Sequence, residues 1–156
     1  MKFSLPKLLI SFFIAFLGGV IGGLATADAI PTWYVMLNKP FFNPPNWIFG
    51  PVWTILYAMQ AIALYMIWSS AKKQDKRRAF TLFGIQVALN ALWSLLFFGL
   101  KIPSLALVEI VVLWVVIYLM IKEFYLFNKR AGRMLVPYLL WVSFASILNL
   151  FIVLLN

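Results

Sequence analysis

The stretch WYVMLNKPFFNPPNWIFGPVW, residues 33–53, holds three of the seven tryptophans and four of the eight prolines of a 156-residue chain. Pro40, Pro44 and Pro45 each fix φ near −65° and push the preceding residue out of the α region. That predicts a stiff, extended segment of polyproline character rather than helix. Gly50 and Pro51 fall at the start of the apolar run that follows. In a first turn the missing proline N–H does little harm. The stretch is therefore a loop leading into a helix, and its aromatic residues Trp33, Tyr34, Phe41, Phe42, Trp47 and Phe49 have two readings. Anchoring at a membrane interface accounts for one or two of them. A rigid lid over the mouth of a helix bundle accounts for the aromatic density and the stiffness together.

Outside this loop the chain is built for lipid. Hydrophobic residues make up 65% and charged residues 11%, against about a quarter charged in soluble domains. A bilayer core about 30 Å thick needs about 20 apolar helical residues to cross it. Five stretches qualify, at about 7–26, 47–70, 80–100, 104–124 and 134–155. The expectation is one all-α integral membrane domain over residues 1–156, a bundle of five transmembrane helices with the first loop as a lid. The first span follows Lys2 and Lys7, but its apolar run is too long for a secretory signal, which makes it a retained helix.

Five crossings put the termini on opposite sides. Lys2, Lys7, Lys72, Lys73, Lys76, Arg77, Arg78, Lys122, Lys129, Arg130 and Arg133 fall on the N-terminal side, and Lys39 and Lys101 on the other. The positive-inside rule then places the N-terminus in the cytoplasm and the C-terminus and first loop outside. No Arg/Ser-rich transit sequence leads the chain, so the expected location is a prokaryotic plasma membrane. The net charge of +9 is explained by these short basic loops, among them KKQDKRR at 72–78, and not by nucleic acid, for which no basic fold motif is present. That loop reads as a solvated topology determinant, or as a contact for anionic lipid.

Cysteine and histidine are absent, and the acids are only Asp28, Asp75, Glu109 and Glu123. Disulfides, thiol and imidazole catalysis and Ser/His/Asp machinery are excluded, no metal site is expected, and no cofactor is required. Chemistry must come from helical faces, where residues i, i+4 and i+7 align. Trp53, Tyr57 and Gln60 share a stripe on the second span, Asn90, Trp93 and Phe97 on the third (Gln86 one turn earlier), and Trp141, Ala145 and Leu148 on the fifth beside Asn149. Amides inside a span face the bundle interior. Singly they serve as interhelical glue at about 0.6–2 kcal/mol each. Together they draw the aromatic residues into a cavity with polar handles, the usual makings of a small-molecule site. Glu109, a turn and a half into the fourth span, lies near enough to its end to reach the interface or pair with Lys101. Gly18, Gly19, Gly22 and Gly23, and the Gly84–Ala88 pair, permit close helix contact within one protomer or between two.

The ordered set Trp33-Tyr34, Lys39-Pro40, Pro44-Pro45, Trp47, Phe49, Pro51, Trp53, Tyr57, Ala88-Leu89-Asn90, Trp93, Phe97-Phe98, Ala106-Leu107, Glu109, Pro137-Tyr138, Trp141, Phe144-Ala145 and Leu148-Asn149 resembles the translocator protein family, also called the tryptophan-rich sensory protein family. The resemblance implies a five-helix bundle, often a homodimer, whose lidded pocket binds porphyrins such as protoporphyrin IX and synthetic hydrophobic ligands. It implies ligand-lining roles for Tyr34, Trp53, Tyr57, Asn90, Trp93, Trp141, Ala145 and Leu148. Some bacterial members promote light- and oxygen-dependent porphyrin breakdown, for which Trp53 and Trp141 are the candidate catalytic residues. Three alternatives stand beside a porphyrin sensor: such photo-oxidation, transport of tetrapyrroles or other hydrophobic small molecules, and a scaffold without ligand. Many members carry tryptophan where this chain has Phe41 or Phe42, and animal members also where it has Leu105. The chain ends LNLFIVLLN, without the tyrosine and basic residue of the animal cholesterol motif, which argues against sterol recognition on the fifth helix. LWVVIYLMIK, residues 113–122, fits the loose sterol pattern.

Overall fold

The computed structural model describes residues 3–72 and 75–156. Lys2 and Lys73 of the charge tally lie outside them. Helix α1 runs Leu5–Ala27, the short α2 Ala29–Thr32, α3 Phe49–Trp68, α4 Arg77–Ser94, α5 Pro103–Phe127, α6 Lys129–Met134 and α7 Val136–Leu155. Among the described residues they form five segments long and apolar enough to span a membrane: Leu5–Thr32, Asn46–Trp68, Arg77–Gly99, Pro103–Phe127 and Lys129–Leu155. The protein is a multi-pass, all-helical membrane bundle. The expected spans all appear with their ends shifted by a few residues; the largest additions are residues 27–32 after the first and the basic turn 129–133 before the fifth.

Local chemistry sets the helix ends. Prolines stand at the first turns of α1, α5 and α7, where no helical hydrogen bond is lost. Pro51 enters α3 in the same way. Asn128 stops α5 and caps α6, its side chain accepting from the backbone N–H of Arg130 and Ala131. The tight turn before α5 takes Lys101 to φ 58°.

α1 packs on both α3 and α4, while α3 and α4 scarcely touch; α5 packs on α4 and α7, and α6 returns to α3. The first span is thus wedged between the second and third, and close approach there requires glycine. A Cβ on Gly18 would lie 2.9 Å from Val87 O, one on Gly22 2.7 Å from Ser94 Oγ, and one on Gly19 2.3 Å from the Tyr57 ring. Gly18, Gly19 and Gly22 therefore pack within the protomer. Gly84 and Ala88 face outward, and nothing lies within 4 Å of a Cβ on Gly84.

Large apolar side chains such as Phe13, Leu24, Val108, Leu140 and Leu154 project from the outer surface, as lipid requires. The core divides in two. One cluster fills the middle and basic end around Phe83, Ile117, Phe124 and Leu135. A smaller one, with Tyr34, Phe97, Ala106, Leu148 and Ile152, lies under the first loop.

Candidate functional site

Between these clusters, α1, α3, α4 and α7 enclose a cavity of about 560 Å³, within the usual range for small-molecule sites. α3 contributes Gly50, Trp53, Thr54 and Tyr57; α4 and its continuation Trp93, Ser94, Phe97 and Phe98; α7 Trp141, Ala145, Leu148, Asn149 and Ile152. α1 supplies Phe16, Gly19, Val20, Gly22, Gly23 and Thr26, and Ile30, Tyr34, Asn46, Trp47 and Phe49 close the loop end.

The walls are locked by aromatic packing. Trp53 stacks on Tyr57 (5.4 Å, 24°) and meets Tyr138 edge-on. Trp93 stacks on Phe97 (5.1 Å, 23°), and Trp141 leans on Phe49 and Phe144. Trp33 stays outside the wall and props Phe97 from behind at 5.7 Å. α4 ends in a π-helical turn, Leu95–Gly99, with Leu100 N donating to Leu95 O at 2.7 Å. This widened turn, frequent at functional sites, carries Phe97 and Phe98 to the cavity.

Behind the aromatic wall runs a directed chain of hydrogen bonds. The Tyr57 hydroxyl donates to Asn90 Oδ1 (2.8 Å), Asn90 Nδ2 to the Tyr138 hydroxyl (3.2 Å), that hydroxyl to Gln86 Oε1 (3.0 Å), and Gln86 Nε2 to Gln60 Oε1 (3.0 Å). Asn90, placed on the ligand surface by resemblance, instead sits behind Tyr57 and outside the cavity lining. The other seven expected residues, Tyr34, Trp53, Tyr57, Trp93, Trp141, Ala145 and Leu148, all line it. Gln60, Gln86, Asn90 and Asn149 are buried as expected, and the first three join helices rather than offer handles. Asn149 donates through Nδ2 to Pro103 O. Its Oδ1 and Trp93 Nε1 have no protein partner.

One charged residue departs from expectation. Glu109 neither reaches the interface nor pairs with Lys101. It is buried, both carboxylate oxygens lack a protein partner, and the one ion pair among the described residues is Arg78–Glu123. Its helical phase turns it inward, away from the face of α5 that carries Val108 and Val111. The Lys39 ammonium does not line the cavity. It donates to the carbonyls of Tyr34, Val35 and Leu37 and sits over the Tyr34 ring, so it pins the loop.

The loop covers the bundle with some of its aromatic residues and leaves others exposed. Tyr34 is buried beneath it and donates to Asn43 Oδ1 (2.7 Å). Phe42 packs edge-on against Phe144 and Phe151 of α7, while Phe41 is fully exposed and Trp47 largely so. Asn38 and Asn156 exchange hydrogen bonds and clasp the loop to the end of α7. The wall given by α1 is what stripe analysis misses. Its signal was the glycine run, which leaves space for the rings opposite.

A family profile described as the TspO/MBR family matches residues 11–155. The chain is 45% identical to the tryptophan-rich protein TspO of Archaeoglobus fulgidus over 98% of this chain and 99% of that one. It is 34% identical to the tryptophan-rich sensory protein of Cereibacter sphaeroides, covering 89% and 87% of the two chains, and 34% identical to the translocator protein of Bos taurus, covering 85% and 80%.

Proposed function

The chain belongs to the TspO/MBR family, and from that premise we propose that it is a membrane sensor or receptor binding a flat tetrapyrrole, such as protoporphyrin IX, or a similarly shaped hydrophobic ligand between its helices. The observation that carries this reading is the cavity of about 560 Å³ walled by Trp53, Trp93, Trp141 and Tyr57. Indole and phenol faces offer a planar π-system large contact area while losing little conformational freedom, and each well-placed aromatic pair adds about 0.5–1.5 kcal/mol beyond area burial. Among the described residues no charged side chain lines the cavity. The propionates of a porphyrin accordingly stay at the exposed rim, near Asn46 and Thr54, and the ring enters. Titration with protoporphyrin IX, followed by tryptophan quenching, tests this. Replacing Trp53 and Trp141 together by Phe is expected to weaken binding about tenfold or more. Unchanged affinity would place the ligand elsewhere.

A second reading is light-driven oxidation of the bound ring by dioxygen. It is favoured by two oxidisable indoles, Trp53 and Trp141, on the cavity wall, one of them stacked on the hydrogen-bonded Tyr57. Illumination of the complex under oxygen should produce a bilin-like absorbance. Its absence, or its persistence in the double Phe variant, would remove this reading and leave the binding reading intact.

A further inference from the structure

A second concavity, of about 310 Å³, lies on the outer surface between α5 and α7, lined by Val111, Trp114, Ser143, Ser146 and Ile147. Its polar atoms are already satisfied. Trp114 Nε1 donates to Ser143 Oγ (2.8 Å), Ser143 Oγ to Leu139 O (2.8 Å), and Ser146 Oγ to Val142 O (2.7 Å). The groove therefore offers apolar surface only. Along the same face of α5, Trp114 stacks nearly parallel on Tyr118 (5.7 Å, 9°), and the Lys122 ammonium stands 5.6 Å from the centre of the Tyr118 ring.

We propose that this groove holds one acyl chain of an anionic phospholipid whose phosphate rests on Lys122. Two observations select this occupant. The first is depth. Trp114 and Val111 lie eight and eleven residues from Lys122, about 12 and 16 Å at 1.5 Å per residue. Half of a hydrocarbon core is about 15 Å. With Lys122 at the headgroup boundary, a chain from that leaflet passes Tyr118 and Trp114 and ends in the groove. The second is charge. Lys122 is exposed, pairs with no carboxylate among the described residues, and continues the face of α5 that carries Tyr118 and Trp114. A phosphate matches a cation held over an aromatic face. A second copy meeting this face isologously would bring Lys122 toward its own counterpart, and a sterol hydroxyl carries no charge to match it.

The test uses the whole chain in phosphatidylcholine vesicles containing a small fraction of phosphatidylglycerol with brominated acyl chains, or the same fraction of brominated phosphatidylcholine. Bromine quenches tryptophan on contact, and the Trp114 signal is the difference between the native chain and Trp114→Phe. Quenching of Trp114 should be several-fold stronger by the phosphatidylglycerol. Lys122→Gln should bring the two lipids to equality, and Lys122→Arg should restore the preference. Equal quenching of the native chain by both lipids would reduce the groove to ordinary lipid-facing surface. A preference that survives Lys122→Gln would move headgroup selection elsewhere. Quenching by neither lipid that appears only on dilution of the protein would assign the face to a second copy, and relief by cholesterol at equal fraction would assign it to a sterol. Each of these outcomes overturns the proposal.

Discussion

Tyr34 shows how one residue couples the lid to the bundle. Its ring is buried against Phe97 and Phe98, and burial pushes the phenol up to about 12 from its ordinary 10, against a smaller opposing effect of the bond to Asn43. The folded state thus favours the neutral form. That stabilisation is complete below pH 10 and is lost as pH rises through about 12. Unfolding midpoints measured from pH 9 to 12 should fall more steeply for the native chain than for Tyr34→Phe, and parallel curves would mean that the lid does not shelter the phenol. At Tyr138 the same group has a different task, linking Asn90 to Gln86. Tyr138→Phe leaves a buried donor and a buried acceptor unpaired and should cost about 1–2 kcal/mol in denaturant titration. Tyr57 should keep its bond to Asn90, so ligand affinity should fall much less than stability. Periodicity made Trp53, Tyr57, Trp93 and Trp141 legible as inward residues. It could not place Asn90, because phase gives the direction of a side chain but not which neighbour lies between it and the cavity.

Helix α1 shows what spacing conveys about elements. The four glycines at 18, 19, 22 and 23 point to close packing, yet they do three different things. Gly18 and Gly22 admit α4, Gly19 admits the Tyr57 ring, and a Cβ on Gly23 would meet nothing within 4 Å. Gly19→Ala must displace Tyr57 and with it the bond to Asn90. It should lose about 1–3 kcal/mol of stability, the usual range for overpacking, and weaken porphyrin binding. Gly23→Ala, on the same helix and also lining the cavity, should leave stability unchanged or slightly raised, since alanine is the better helix former. Thermal unfolding of the two variants side by side checks the assignment, and equal losses would refute it. The π-helical turn at Leu95–Gly99 had no such signal. LLFFG reads as ordinary helix, and its widening follows from tertiary packing, where Phe97 meets Trp33 and Trp93 while Phe98 meets Tyr34.

At the scale of the molecule, polarity along the bundle axis links topology to the site. At one end Lys72 reaches the carbonyl of Leu126, Arg78 pairs with Glu123 and Lys7 stands over Trp68. At the other end lie the loop, its clasp to Asn156, the cavity mouth and only Lys39 and Lys101. The number and order of the spans were legible because apolar length is set by the bilayer. The wedging of α1 between α3 and α4 was not, since hydropathy contains no information about which helices are neighbours. If basic loops stay in the cytoplasm, the lid and cavity mouth face away from it, and a ligand is met from the non-cytoplasmic side or from the membrane. The chain has no cysteine, so single-cysteine variants report orientation without background. Phe41→Cys, at a fully exposed position on the lid, should react in intact cells with a membrane-impermeant maleimide. Ala71→Cys, exposed at the basic end, should react only after the membrane is opened. The reverse pattern would invert the bundle and put the cavity mouth in the cytoplasm, and labelling of both in intact cells would mean that the chain inserts both ways.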